Sequence, residues 1–305
     1  MNINFKVNSN LLNLISSISV KIGEIKANHL EYQSKSFFIE NRINCIYNSL
    51  LLDGSKLSHK QVEGIVNNKK IGGFEKDVKE VANSIKVYDK LSKINYLSEK
   101  RFLLVYSELT SGTSIHSGSY RKGDAAVSIQ MNELFNYLKN SDNPIFLKSC
   151  VAHYQIQKIK PFENGNGQIA RLWQRLILLS EFPVFEFLPF ENVLVNSQKV
   201  YKALLSKNDL TSFIEYQLGI LDVSLQQLLN YNNRILKDID RIEYFSSICK
   251  SEFTRKDYMN IFKDLSTASA SRDLKKAVDL GLFSVIGDKN RSKYRVTKHN
   301  YLKLS

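Results

Sequence analysis

The sequence predicts a mainly α-helical protein that closes on a small α+β segment. Three observations predict it. Residues 1–95 contain few Gly or Pro, so helix can run through them with few breaks. Two apolar runs, Phe146 to Ile159 and Leu172 to Leu179, flank one short glycine-containing turn. After residue 250 the pattern becomes two short capped helices followed by a hairpin.

Composition bounds the rest. The chain has 305 residues, enough for two or three domains, with 43% hydrophobic and 24% charged residues. That is globular composition, not disorder. No run approaches 18 apolar residues, so no membrane helix is expected. The first 20 residues lack the apolar core and small-residue cleavage site of a signal peptide. Cys45, Cys150 and Cys249 are odd in number and widely spaced, which reads as buried free thiols in a reducing cytoplasm. The net charge of +13 favours polyanions.

In order along the chain, the first informative joint is Ser49 to Ser58. A helix stops at Gly54, and Ser58 with Gln61 three residues on has the form of a capping box. Alone, this is a helix–turn–helix joint. Leu103 to Tyr106 predict another helix. A Ser/Thr/Gly-rich stretch from Thr110 to Gly123 follows, and the alternation at Val127, Ser128 and Ile129 predicts a short strand.

Asn143-Pro144 has the form of a helix start, with Asn as cap and Pro at the first position. Pro161 closes that helix at Lys160. The next helix carries Leu172, Trp173 and Leu176 to Leu179, apolar almost all round, so it is central. Between the two helices lies Lys160-Pro161-Phe162-Glu163-Asn164-Gly165-Asn166-Gly167-Gln168-Ile169-Ala170-Arg171. Glycines at a helix start leave backbone N–H groups free to face an anion, and the helix dipole adds to the attraction. A phosphate-sized anion would sit there beside Lys160, Asn166 and Arg171. An ordinary interhelical turn accounts for the glycines equally well.

Breaks at Pro183 and Pro189 precede helices at Tyr201 to Leu205 and Phe213 to Leu221, and residues 222–250 read as a connecting helix. In the last segment, Phe253 to Tyr258 and Ser266 to Lys276 form two helices, the second stopped at Gly281. A hairpin runs from Ser284 through a turn at 287–290 to Val296. Residues 251–305 hold twelve Lys/Arg against six Asp/Glu. This is a helix-turn-helix with a β wing. Its second helix offers Ser269, Ser271, Arg272 and Lys275 to DNA, and its wing offers Lys289, Arg291 and Lys293. A winged helix that packs on protein is the alternative.

The twelve-residue turn, with Ala152-His153-Tyr154-Gln155 before it, resembles the motif of the Fic/Doc family, His-Pro-Phe-x-Asp/Glu-Gly-Asn-Gly-Arg-x-x-Arg, with every gap kept. Ser49-x-x-x-Asp53-Gly54 resembles that family's inhibitory motif, and Gly118-Ser119-Tyr120-Arg121 resembles the lead into its flap. The C-terminal segment resembles the winged helix appended to many members. The resemblance implies a Fic-type helical core with a short β-hairpin flap at residues 96–235. Before it lies an inhibitory-type helical region at 1–95, and after it a linker helix and winged helix at 236–305.

It also implies chemistry. Family members transfer AMP from ATP to a protein hydroxyl, with the His as base and the acid holding Mg²⁺. The implied partners are therefore a nucleotide, a protein target and DNA, with a homodimer as a further arrangement. Asn164, Gly165, Asn166, Gly167, Gln168 and Arg171 would face the nucleotide, and Asp53 would face Arg171 at the γ-phosphate position. Three positions depart from the pattern. Lys160 replaces the His, Asn164 the acid and Gln168 the first Arg. A free lysine has a pKa of about 10.4, so service as a base near pH 7 would cost about 4 kcal/mol. Lys160 therefore fits a phosphate clamp better than a base. Asn164 keeps a carbonyl but loses the charge that favours Mg²⁺. His153, about 10 Å back along the helix, reads as structural. His116 is the other loop-borne candidate.

Three readings follow. The protein binds a nucleotide or phosphate weakly and has lost most AMP transfer. Or it is an active nucleotidyl- or phosphotransferase that uses Lys160. Or it is a DNA-binding regulator with the helical core as sensor or dimer platform.

Overall fold

The computed structural model describes residues 3–27, 35–69, 71–72, 75–113, 118–121, 125–230, 238–249, 252–262, 265–287 and 292–297. Within these it is mainly helical, with one two-stranded sheet. It divides into two compact units, one of residues 1–25 and 40–227, the other of residues 26–39 and 228–305. Among the described residues no helix is long and apolar enough to cross a membrane. Cys45 and Cys150 are buried free thiols and Cys249 is half-buried.

The first unit is built around two consecutive helices, α7 (Ile145–Ile159) and α8 (Asn166–Leu179). All of α8 from Gln168 to Leu178 is buried, as an all-round apolar helix requires. Trp173 is fully buried and meets Phe102 edge-on at 4.9 Å and Phe135 at 6.2 Å. Phe102 belongs to α5 (Glu99–Leu109) and Phe135 to α6 (Ala125–Asn140). α7 starts one residue later than its sequence signals imply. Pro144 is itself the cap residue, with its carbonyl accepting from Leu147 and Lys148.

Around this pair lie α1 (Ser9–Ala27), α2 (Lys35–Leu52), α3 (His59–Val66), α4 (Glu75–Tyr88), α9 (Glu191–Asn196), α10 (Gln198–Ser206) and α11 (Leu210–Asn230). The Ser58–Gln61 capping box at α3 is present with both bonds. Gly54 takes φ +95°, the left-handed conformation that ends α2. α1 lies along α11, tied by Lys21 to Asp222 at 2.6 Å and Asn8 to Glu215 at 2.7 Å.

One expectation is corrected. The strand at Val127 to Ile129 is the first turn of α6. Val127, Met131, Leu134, Phe135 and Leu138 are buried at helical spacing, and a core-facing stripe of that length outweighs a three-residue alternation. Among the described residues between Gly118 and Asn140 there is no strand.

The second unit contains α12 (Asp238–Ile248), α13 (Arg255–Ile261), α14 (Thr267–Asp279), β1 (Phe283–Ile286) and β2 (Lys293–Val296). The strands pair antiparallel with Phe283 opposite Val296, and Phe253 bridges to Tyr294. Thr254 and Asp257 form a capping box at α13, and Ser266 caps α14. The core gathers Phe245, Phe253, Tyr258, Phe262, Leu274 and Phe283. Inside it Asp273 accepts two bonds from Arg241, at 2.7 and 3.0 Å, and one from Tyr258 at 3.1 Å. The connecting helix expected over 222–250 is described as α11 and α12, and residues 231–237 lie outside the described residues.

Candidate functional site

α7 ends where Pro161 denies the next helical N–H. Lys160 is its cap, left-handed at φ +49°, and its N–H donates to Ile156. That conformation is costly for a non-glycine residue, and the loop after it is held from several sides. Phe162 is buried and stacks on Tyr106 with ring centroids 3.4 Å apart. The Tyr106 hydroxyl donates to the Asn164 carbonyl at 3.1 Å. The Asn166 amide closes the loop on itself, accepting from the Phe162 N–H at 3.0 Å and donating to the Phe162 carbonyl at 2.7 Å. Arg121 adds two bonds, from Nε to the Lys160 carbonyl at 3.0 Å and from its N–H to the Pro161 carbonyl at 2.9 Å. Beside it Tyr120 donates to Glu99 at 2.8 Å.

Gly165 then caps the start of α8, and its φ of +72° favours glycine. At the second helical position, a Cβ on Gly167 would collide with the Asp53 carboxylate and come within 3.0 Å of the Arg171 guanidinium. Only glycine leaves room for an acid against the start of this helix.

The acid comes from the turn that ends α2. Arg171, 1% exposed, donates from Nε to the Ser49 hydroxyl at 3.0 Å and from Nη2 to the Ser49 carbonyl at 2.8 Å. Nη2 also meets Asp53 Oδ2 at 3.0 Å. Ser49 and Asp53 are four residues apart, so one face of the helix end presents both. The chain thus places its own carboxylate between Gly167 and Arg171, where an anion-binding helix start would hold a ligand.

Beside this pair lies a cleft of about 700 Å³. Asp53, Gly167 and Arg171 line it together with Gln157 and Lys158 of α7 and the cap residue Lys160. Tyr201, Lys202, Leu205 and Ser206 of α10 face them. The floor is a hydrogen-bonded group. The Tyr201 hydroxyl lies 2.7 Å from His153 Nε2, and the Gln157 amide donates to it at 2.9 Å. His153 Nδ1 lies 2.6 Å from Gln174 Oε1. His153 is fully buried, and burial pushes its pKa down to about 3. With both ring nitrogens engaged, it is a neutral structural histidine.

The structure therefore brings Lys160, Gly167, Arg171, Asp53 and Ser49 together. It does not bring every expected residue to the cleft. Gln168 is buried and donates to Ser84 of α4 at 3.0 Å. The Asn166 side chain is committed to its own loop. Asn164 is exposed and does not line the cleft. His116, Lys289 and Arg291 lie outside the described residues. Gln157, Lys158, Tyr201 and Lys202 are additions to the sequence-based set. Lys158 and Gln157 could have been placed from the 3.6-residue period of α7, but nothing local pairs α10 with α7.

A divalent cation does not fit the donors present. Asn164 is uncharged and exposed and does not line the cleft. The carboxylate lining the cleft, Asp53, is paired with Arg171. Among the described residues no group of three or more His, Cys, Asp or Glu is placed to hold a metal.

In the second unit, Arg272 and Lys275 are exposed on α14. Arg272 reaches back to Ser269 at 3.2 Å, and Ser271 accepts from Arg255 at 3.0 Å. On the hairpin, Glu252 takes Arg295 at 2.6 Å and Lys293 at 3.9 Å.

Comparison with known proteins agrees with this architecture. Residues 96–178 match the model of the Fic/DOC family. A Fic family protein from Desulfovibrio desulfuricans superposes with a TM-score of 0.73 at 24% identity, over 97% of this chain and 98% of that one. Fic-1 of C. elegans (residues 134–508) gives a TM-score of 0.56 at 20% identity, over 72% of this chain and 74% of that one. A Fic domain containing signaling protein from Bacteroides thetaiotaomicron gives 0.52 at 18% identity, over 73% and 97% of the two chains. No curated protein matches the sequence. The mainly helical, Fic-type core expected from the motif is the fold found.

Proposed function

Taking residues 96–178 as a Fic/DOC family domain, we propose that this protein binds a nucleotide or phosphate compound in the cleft beside Arg171 and transfers little or no AMP. The observation that carries it is the pairing of a buried Arg171 with Asp53 across the start of α8. A buried guanidinium at a helix N-terminus is an anion site. Here an internal carboxylate holds it until a ligand takes its place. The proton-transfer side is missing. Lys160 stands at the base position and His153 is neutral with both nitrogens engaged. Lys160 and Arg171 act as clamps, and Asp53 sets how much ligand binds.

Titration of purified protein with ATP, alongside incorporation of labelled AMP, tests this. Binding without incorporation is expected. Robust incorporation that Lys160→Ala abolishes would establish the competing transferase reading instead.

The second unit supports a further role. Its order of helix, bridging residue, two helices and hairpin is that of a winged helix, and Arg272 and Lys275 are exposed on the second helix of the pair. We propose that α14 meets a nucleic-acid backbone, with Ser269 and Ser271 near the groove. A gel shift with the full chain and duplex DNA checks it. Binding should weaken steeply with salt, and Lys275→Ala should reduce it. Salt-insensitive binding or none at all removes the role.

A further inference from the structure

Resting on the reading of the cleft as a phosphate site, we infer that its ligand is a free phosphate-rich anion taken up without a divalent metal. Lys158, Lys160 and Lys202 neutralise its charge in the metal's place.

The charge arrangement carries this. With Asp53 set against Arg171, three ammonium groups remain on the cleft walls, one from α7, one from its cap residue and one from α10. Lys158 is anchored along the wall between them, its Nζ 3.3 Å from the Leu205 carbonyl and 5.8 Å from the Tyr154 ring. Each of the three side chains is exposed toward solvent, and among the described residues none of them is paired with a carboxylate. A metal–phosphate complex would bring a dication among these ammonium groups, and the carboxylate that lines the cleft, Asp53, is already paired with Arg171. A bare phosphate chain meets the opposite situation. Every additional negative oxygen gains a partner, and its arrival displaces Asp53 from Arg171 rather than adding a cation. The volume of about 700 Å³ lies within the usual range for a small-molecule site.

Calorimetric titration of the full chain decides the matter. The probes are ATP and sodium tripolyphosphate, each in EDTA and in excess MgCl₂, with wild type and with Asp53→Ala, which frees Arg171. Binding in EDTA that is equal to or tighter than binding with Mg²⁺ is expected. Lys202→Ala, at an exposed position, should weaken it about three- to fivefold, and the Lys158→Ala/Lys202→Ala pair about tenfold. ATP binding tighter than tripolyphosphate assigns a nucleotide as the source, and equal binding assigns the phosphate chain alone. Both support the inference. Binding that Mg²⁺ strengthens, or that Lys202→Ala leaves unchanged, overturns it while the phosphate-site reading stands. Failure of both proteins to bind either probe overturns the two together.

Discussion

His153 offers the sharpest quantitative test, because it separates a structural histidine from a base. Its ring is fully buried between Gln174 and Tyr201. Burial is the main reason its pKa falls from 6.5 to about 3. The sign follows from proton linkage. Between about 3 and 6.5 the unfolded chain holds a proton on this side chain that the folded chain does not. Stability therefore drops as pH falls below the unfolded value, by about 1.4 kcal/mol per pH unit. From pH 7 to pH 5 the loss assigned to His153 is about 2 kcal/mol. Urea unfolding followed by the single tryptophan, Trp173, reads the first unit directly. Wild type should lose about 2 kcal/mol more between these two pH values than His153→Gln. The substitution should itself cost about 1–3 kcal/mol at pH 7 by leaving its partners imperfectly paired. Equal losses in the two proteins would show that this histidine titrates normally in the folded state. A proton carrier would then sit beside the motif, and the structural reading of His153 would be refuted.

Three further outcomes are expected. Asp53→Ala should raise phosphate affinity about tenfold in titration and lower unfolding stability by about 1–2 kcal/mol, since Arg171 keeps its bonds to Ser49. Gly167→Ala should lower affinity, because its methyl fills the space against Arg171 that the Asp53 carboxylate holds and a ligand would take; unchanged affinity would show that the ligand does not seat there. Glu191→Gln should cost about 3–5 kcal/mol, visible as a lower urea midpoint or insoluble protein. It strands Arg175, fully buried and held by Glu191 at 2.7 and 2.9 Å, and an unshifted midpoint rejects this.

Local signals were legible wherever the physics is local. The Ser58 box, the Gly54 stop and the proline that closes α7 each depend on a few neighbouring residues. The three-residue alternation at Val127 misled because so short a window fits both periods. Side-chain direction was also illegible. Gln168 and Arg171 are three residues apart on one helix, yet Gln168 donates to Ser84 of α4 while Arg171 meets α2 and the cleft. Which neighbour each meets depends on where α2 and α4 pack.

By itself the sequence determined which chemical groups the turn carries: the ammonium of Lys160, the amides of Asn164, Asn166 and Gln168, and the guanidinium of Arg171 after two glycines. Only the tertiary structure decided which of them share a space. It turned Asn166 onto its own loop, sent Gln168 to Ser84 and set Lys202 of α10 in the same cleft as Lys160. The reason is that residue identity fixes charge and hydrogen-bonding capacity. The meeting of α2, α7, α8 and α10 is set by burial of apolar faces far apart in the chain.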